Sequence, residues 1–266
     1  MKLSCQEGLV NGATFAEKLS NLEKYGFEGI ELNGNELHEP AKLEERIKAL
    51  KDSPVKASSI CGGFQCEFVH TDPAKRRACI DIIKRFLDFC GTVGATGPIT
   101  VPIFNGNSRV PDLSPWKTQH QLEIELLTEV ARDLAAHAVK AKSTLLLEPL
   151  NRYESNSLAN IGEAAAICRK IGPGVKVMAD FFHMHIEELN TPRSLLESGD
   201  MVGHVHLADN TRKEPGTGDI DFKAGFAALK KVKFTGYMAF ECGLSDKPEI
   251  ALPKSVKYLK QCLAEA

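Results

Sequence analysis

Four polar residues each close a short apolar run of the kind that forms a buried strand. Glu148 closes Thr144–Leu147, Asp180 closes Val175–Ala179, His206 follows Val202 and Val205, and Glu241 closes Tyr237–Phe240. Three carboxylates and one imidazole make a ligand set for one divalent metal. Oxygen ligands suit Mg, Ca or Mn, and the imidazole shifts the balance toward Mn, Co, Fe or Zn. Burying any one of these groups without a partner costs several kcal/mol, so four of them at strand ends point to a shared purpose. Two glutamates in such a set also offer a base and an acid. That pair can remove a proton beside a carbonyl and return one, with the metal stabilising the enediolate between the two steps.

The elements that would position these residues alternate along the chain. Strands are expected at Lys2–Gln6, Ile30–Leu32, Val55–Ile60 and Ile99–Ile103, the last interrupted by Pro102, and then at the four runs above. Helices are expected at Thr14–Tyr25, Lys42–Lys51, Pro73–Gly91 (capped by Thr71 or Asp72), Trp116–Lys140, Ile161–Ile171, after Pro192, at Phe222–Lys231 and from Pro248. Eight strand–helix units in 266 residues predict one (β/α)8 TIM barrel, a single domain over residues 1–266. A doubly wound sheet would need a glycine-rich turn after the first strand, and Gly8 and Gly12 do not form GxGxxG. In a barrel the C-terminal ends of the strands meet at one mouth. The four candidate ligands occupy strands five to eight, one each, and would therefore be neighbours.

Composition narrows the partners. Hydrophobic residues make up 43% and the formal net charge is −2, so no basic excess points to a nucleic acid. No apolar run reaches the ~20 residues of a membrane span, and the first residues, Met1–Glu7, lack a signal-peptide core. A cytoplasmic protein without a membrane partner is expected. The eight cysteines include no CxxC pair, and reduced, mostly buried thiols are expected of them. A homo-oligomer is anticipated, its size left open.

Longer segments carry a resemblance. Glu148-Pro-Leu-Asn-Arg-Tyr-Glu154, Asp180-Phe-Phe-His183, Gly203-His-Val-His206 through Arg212, Pro215-Gly-Thr-Gly218 and Glu241 resemble, in order and spacing, the xylose isomerase-like barrel superfamily. Within it the likeness is strongest to the D-tagatose/D-psicose (ketose) 3-epimerases. It spans most of residues 144–243, whereas the first half matches only in pattern, as in Gly26–Leu32. The resemblance implies Mn2+ or Co2+ (with Mg2+, Zn2+ or Fe2+ open) held by Glu148, Asp180, His206 and Glu241. It implies Glu148 and Glu241 as the proton-moving pair, and Glu154, His183 and Arg212 as residues that hold the small-molecule sugar substrate near its carbonyl. The loop Phe104–Trp116 and the first strand depart from the epimerase pattern, so the identity of the sugar does not carry over.

Each of these residues also has a plainer reading. Arg212 would otherwise be a solvated loop arginine, His183 a buried supporting imidazole, and Glu154 a salt-bridged loop acid. His185 and His204 read as packing or supporting groups. Pro215–Gly218 reads as a turn that shapes a loop rather than as a phosphate cradle. The run Glu214–Asp221 also resembles hydroxypyruvate isomerase, a family that tends to carry Gln where this chain has His206. A hydroxypyruvate or aldose–ketose isomerase, a metal-dependent lyase on a 3-keto sugar or glycoside, and a non-catalytic sugar-binding barrel therefore remain alternatives. The apurinic endonuclease branch needs more histidines and a basic surface than eight His and a net charge of −2 provide.

Overall fold

A computed structural model describes residues 1–64, 67–104 and 108–266. The strands are β1 (Lys2–Gln6), β2 (Gly29–Asn33), β3 (Lys56–Cys61), β4 (Ile99–Thr100), β5 (Leu145–Leu147), β6 (Val175–Asp180), β7 (Val202–Leu207) and β8 (Tyr237–Phe240). All pair in parallel, in the order β3-β2-β1-β8-β7-β6-β5-β4. Between β3 and β4 the ring closes through an Ile60–Pro98 bridge and the bonds Ile60 N to Gly97 O (3.1 Å) and Thr96 N to Ser58 O (2.9 Å). The chain is a (β/α)8 TIM barrel.

Among the described residues nine α-helices surround it: α1 (Phe15–Tyr25), α2 (Pro40–Asp52), α3 (Pro73–Val93), α4 (Gln119–Ala141), α5 (Ile161–Ile171), α6 (Phe181–Glu187), α7 (Thr191–Ser198), α8 (Phe222–Lys231) and α9 (Pro248–Glu265). Their ends follow local chemistry. Thr14 caps α1, whose chain then turns at Gly26 in the left-handed region (φ 90°). Asp72 caps α3 through the N–H of Ala74. At the start of α4, Thr118 and Gln121 form a reciprocal capping box, so this helix begins three residues after the expected Trp116. β4 is shorter than expected because Pro102 has no N–H to give to a ladder. Helix α6 has no counterpart in the sequence expectations; it starts directly at the end of β6.

Side chains alternate across each strand. Leu145 and Leu147, Val177 and Ala179, and Met238 and Phe240 face the helices and join the main core. Leu146, Met178 and Ile99 form a small apolar cluster of their own. One step of two residues further along the strands lie Glu148 and Asp180, and the same step leads from His204 to His206 and from Ala239 to Glu241. The pleat therefore places all four on the inner face above the packed layer. The register supports this, pairing Asp180 with His206 and His206 with Ala239.

No helix among the described residues is long and apolar enough to cross a membrane. Cys5, Cys61, Cys90, Cys168, Cys242 and Cys262 are free thiols, whereas Cys79 is disulfide-bonded, which corrects the expectation of thiols throughout. Cys66 and residues 105–107 of the loop Phe104–Trp116 lie outside the described residues.

Candidate active site

Glu148, Asp180, His206 and Glu241 each present a ligand atom, and these atoms lie within 4.8 Å of one another. Asp180 and His206 are almost inaccessible (1% and 0% exposed), and Glu148 is 4% exposed. His206 Nδ1 faces the set, 2.9 Å from Glu241 Oε2, 3.8 Å from Asp180 Oδ2 and 4.0 Å from Glu148 Oε1. Asp180 does two things at once. Its Oδ1 accepts from Phe182 N–H (2.7 Å) and caps α6, while Oδ2 turns to the other ligands.

Arg212 closes the group from above β7. Its Nη1 donates to Asp180 Oδ2 at 2.6 Å and its Nη2 donates to Glu241 Oε2. The guanidinium also lies over the Phe182 ring, 4.6 Å from the centroid. Arg212 holds a left-handed backbone (φ 57°), costly for a residue with a Cβ. A tight turn supports it: Arg212 N bonds Asp209 O, Asp209 N bonds Lys213 O, and Gly243 N bonds Arg212 O at 2.7–2.8 Å.

The glycine-rich run has a structural part in this turn. Asp209 is buried and accepts the N–H groups of Gly216 (2.9 Å), Thr217 (3.1 Å) and Ile220 (3.1 Å). A Cβ on Gly218 would stand 2.0 Å from Asn210 Oδ1. The amides a phosphate cradle would need are thus committed to Asp209.

His183 has a fixed tautomer. Asn151 Oδ1 accepts from Tyr153 N–H (2.9 Å), so its Nδ2 is the atom that faces His183 Nδ1 (2.7 Å) and Glu154 Oε1 (2.8 Å). With two Asn151 donors on Nδ1, the ring proton resides on Nε2, which points between Asp180 Oδ2 (3.7 Å) and Glu148 Oε1 (3.8 Å). Burial lowers the His183 pKa, so the ring is a neutral donor. Glu154 reaches the site through Asn151, and it also lines the cavity. His185 is on the outer side of α6 near Asp219 (3.8 Å), away from this group.

The carboxylates differ in their proton affinity. Burial, then the charge of Glu241, raises the Glu148 pKa well above the usual carboxylate value. Burial also acts on Asp180, but Arg212, His183 and His206 together hold it well below. Glu241 is likewise held down, because His206 and Arg212 outweigh its desolvation. Burial acts against the charged form of His206, yet Glu241 and Glu31 raise its pKa well above the ordinary imidazole value. The donor set fits a divalent ion: acidic groups crowd together with one imidazole nitrogen aimed among them.

Several supporting residues escaped the sequence reading. Glu31 lies beneath His206, Gln6 donates to both Glu31 and Glu241, and Asn151 orients His183. Glu31 left one signal, a carboxylate inside the apolar run Gly29–Leu32. Gln6 and Asn151 left none, since a single amide at a strand end or in a loop is unremarkable.

Glu148 and Glu241 line a cavity of about 1090 Å³ together with His183, Glu154 and Arg212, while Asp180 and His206 lie buried at its base. Phe64 and Phe104 also line it, and so does Arg109, whose guanidinium makes two 3.0 Å bonds to Glu67.

Residues 19–262 match the family described as xylose isomerase-like TIM barrel. The chain belongs to that family. Over 266 residues it is 29% identical to a 3-dehydro-D-guloside 4-epimerase of Escherichia coli K12, covering 98% of this chain and 100% of the relative. A D-psicose 3-epimerase of Agrobacterium fabrum is 26% identical over 238 residues, covering 86% and 79%. Among solved structures, an apo 3-keto-D-glucoside 4-epimerase from E. coli superposes with a TM-score of 0.88 at 27% identity, covering 98% of this chain and 100% of that one. A D-psicose 3-epimerase with D-tagatose from Clostridium cellulolyticum H10 superposes at 0.85 with 17% identity over 99% of each chain, a likeness of fold. This member of the xylose isomerase-like family is thus an enzyme of the isomerase class, similar to epimerases over nearly its whole length.

Proposed function

We propose that the chain is a metal-dependent sugar epimerase that inverts the carbon next to a ketone through an enediolate. The observation that carries this reading is geometric: two glutamates, Glu148 just past β5 and Glu241 just past β8, present carboxylate oxygens to one ligand set within 4.8 Å. One carboxylate ready to accept a proton and one carboxylic acid ready to give one are what inversion requires. Glu148, Asp180, His206 and Glu241 would hold the ion. When bound, a divalent metal supplies Lewis-acid stabilisation of the negative charge on the enediolate oxygens. Glu241 follows β8 and Glu148 follows β5, with β6 and β7 between them, so the two carboxylates approach a bound substrate carbon from different sides and each serves one face. His183 offers its Nε2–H and Arg212 its guanidinium to developing oxygen charge. Asn151, bonded to Glu154, keeps the His183 proton on Nε2.

Two positions on a sugar suit this chemistry: C3 of a 2-ketose, the expectation from sequence, and C4 of a 3-keto glycoside. The end-to-end match with the E. coli 4-epimerase favours the second. So does the cavity of about 1090 Å³, just above the roughly 300–1,000 Å³ range of small-molecule sites. It leaves room for a group attached to the reacting sugar. Turnover of 2-ketoses and 3-keto glycosides in D2O, read by NMR, tests both. Deuterium is expected at the carbon beside the ketone, in product and in recovered substrate. Label at C1 or C2 of an aldose–ketose pair, conversion of hydroxypyruvate, or release of a fragment without an epimer would replace this reading with an isomerase or a lyase.

Asp180→Asn isolates the role of charge at the metal. Asn caps a helix as well as Asp does, so the bond to Phe182 N–H is retained. The lost charge weakens a site for a hard cation. Metal affinity by calorimetry is expected to fall at least ~10-fold, the scale seen when groups around a metal site are altered, and the thermal midpoint of the metal-free protein to fall as well, because the new NH2 meets the Arg212 donor that Oδ2 accepted at 2.6 Å. Unchanged affinity would remove Asp180 from the ligand set.

A further inference from the structure

Beneath the proposed metal ligands lies a second buried layer that the ligand chemistry does not use. Glu31 sits mid-way along β2 and is 1% exposed. Four side chains converge on its carboxylate. Gln6 Nε2 donates to Oε1 (3.0 Å) and Ser59 Oγ donates to Oε2 (2.5 Å). His204 Nε2 lies 3.0 Å from Oε2, and His206 Nε2 lies 2.9 Å and 3.0 Å from the two oxygens. The same Gln6 nitrogen reaches Glu241 Oε1 at 2.9 Å, where Cys61 Sγ also donates at 3.5 Å. Glu31, His204 and His206 are close enough to be ligands themselves, but their facing atoms are already hydrogen bonded to each other, in a place with no solvent access.

We infer that Glu31 is a positioning residue for the metal centre: it holds the His206 ring with Nε2–H pointing down, so that the Nδ1 lone pair faces Glu148, Asp180 and Glu241. This inference rests on the proposed metal-dependent function. A carboxylate has only acceptors to offer, so the ring that contacts it does so through a donor. Imidazole carries one proton when neutral, and its place on Nε2 leaves Nδ1 free to ligate. A hydrogen-bond partner on the far nitrogen of a ligating histidine sets both tautomer and ring angle. Gln6 extends the same layer to Glu241: one amide group joins the support of His206 to the carboxylate of the catalytic pair, fixing their relative placement from below.

Glu31→Gln tests this at constant shape. His206 Nε2 is nearly equidistant from both carboxylate oxygens, at 2.9 and 3.0 Å. Whichever way the new amide turns, its NH2 stands against Nε2. One of the two acceptors of Nε2–H is lost and a donor opposes it, so Nε2–H is held less firmly and the proton more readily occupies Nδ1, where it competes with the metal. The measurement is zinc affinity of the full-length metal-free protein by calorimetry, with 15N-histidine NMR of the zinc-loaded protein to report which ring nitrogen carries the metal. The expected result is a zinc Kd about 10–100-fold weaker in Glu31→Gln, and a His206 Nδ1 resonance shifted from its metal-bound position. Glu31→Asp keeps an acceptor-only group and should fall between the two; it carries the test if Glu31→Gln does not fold. Zinc affinity equal to wild type in the folded variants, with Nδ1 still metal-bound, would overturn the inference while leaving the metal site itself intact. Wild-type protein that binds no zinc or manganese would instead overturn the metal reading, and this inference with it.

Discussion

Glu148→Gln and Glu241→Gln are each expected to lower kcat by at least ~10²-fold, the lower end for general acid–base groups. Glutamine keeps the shape and one oxygen that can face a cation, so metal occupancy should fall less than turnover. The two variants should differ in their protein surroundings. Glu241 pairs with His206 at 2.9 Å and with Arg212, so its replacement also frees two cations. Glu148 lies 3.8 Å from His183 and 4.0 Å from His206, so its replacement disturbs less. Steady-state rates beside metal content by elemental analysis check this. Near-normal turnover in either variant with metal bound would remove that glutamate from the proton-moving pair.

Stripping the metal is expected to have a comparable or larger effect. Lewis-acid stabilisation of an enediolate is worth several kcal/mol, or at least ~10³-fold in rate. Chelator-treated protein should lose that much turnover and regain it on adding Mn2+ or Co2+. Affinity for the ion should also depend on pH in a definite direction. Burial and Glu241 raise the Glu148 pKa, and the charges of Glu241 and Glu31 raise that of His206. Both groups hold protons in the metal-free protein that ligation must displace. Binding therefore releases protons and tightens as pH rises, through a window that starts above the usual carboxylate range and extends past the ordinary imidazole value. Above both shifted pKa values the affinity levels off. Calorimetry in buffers of different ionisation enthalpy counts the released protons. A Kd that is flat across this window would contradict the proton-holding arrangement.

Most of the barrel was legible because its signals are local. A run such as Leu145–Leu147 ending in Glu148 states both a strand and its functional end, and Gly172-Pro173-Gly174 states a stop. The strand order of the four polar ends was enough to bring them together, since a closed parallel sheet leaves one mouth. What stayed hidden depends on contacts far apart in the chain. Glu31 gains its meaning only when β2 and β7 face each other across the barrel interior, and Gln6 only when β1 is flanked by β2 and β8. Helix α6 was missed because Asp180 serves both as strand end and as cap, and seven residues give too short a period to detect. The expected fourth strand was too long because apolar residues on both sides of Pro102 mimic a ladder that proline cannot complete.

The claim at the centre of this account is that Glu148 and Glu241 act on opposite faces of one carbon. It is tested most directly by incubating each of the two epimers with Glu148→Gln and with Glu241→Gln in D2O and following deuterium at the carbon beside the ketone. Each variant retains one base and lacks the other, so each should exchange that hydrogen in one epimer only, the two variants choosing opposite epimers, with no net inversion. Exchange of both epimers by a single variant, or of the same epimer by both, would contradict it.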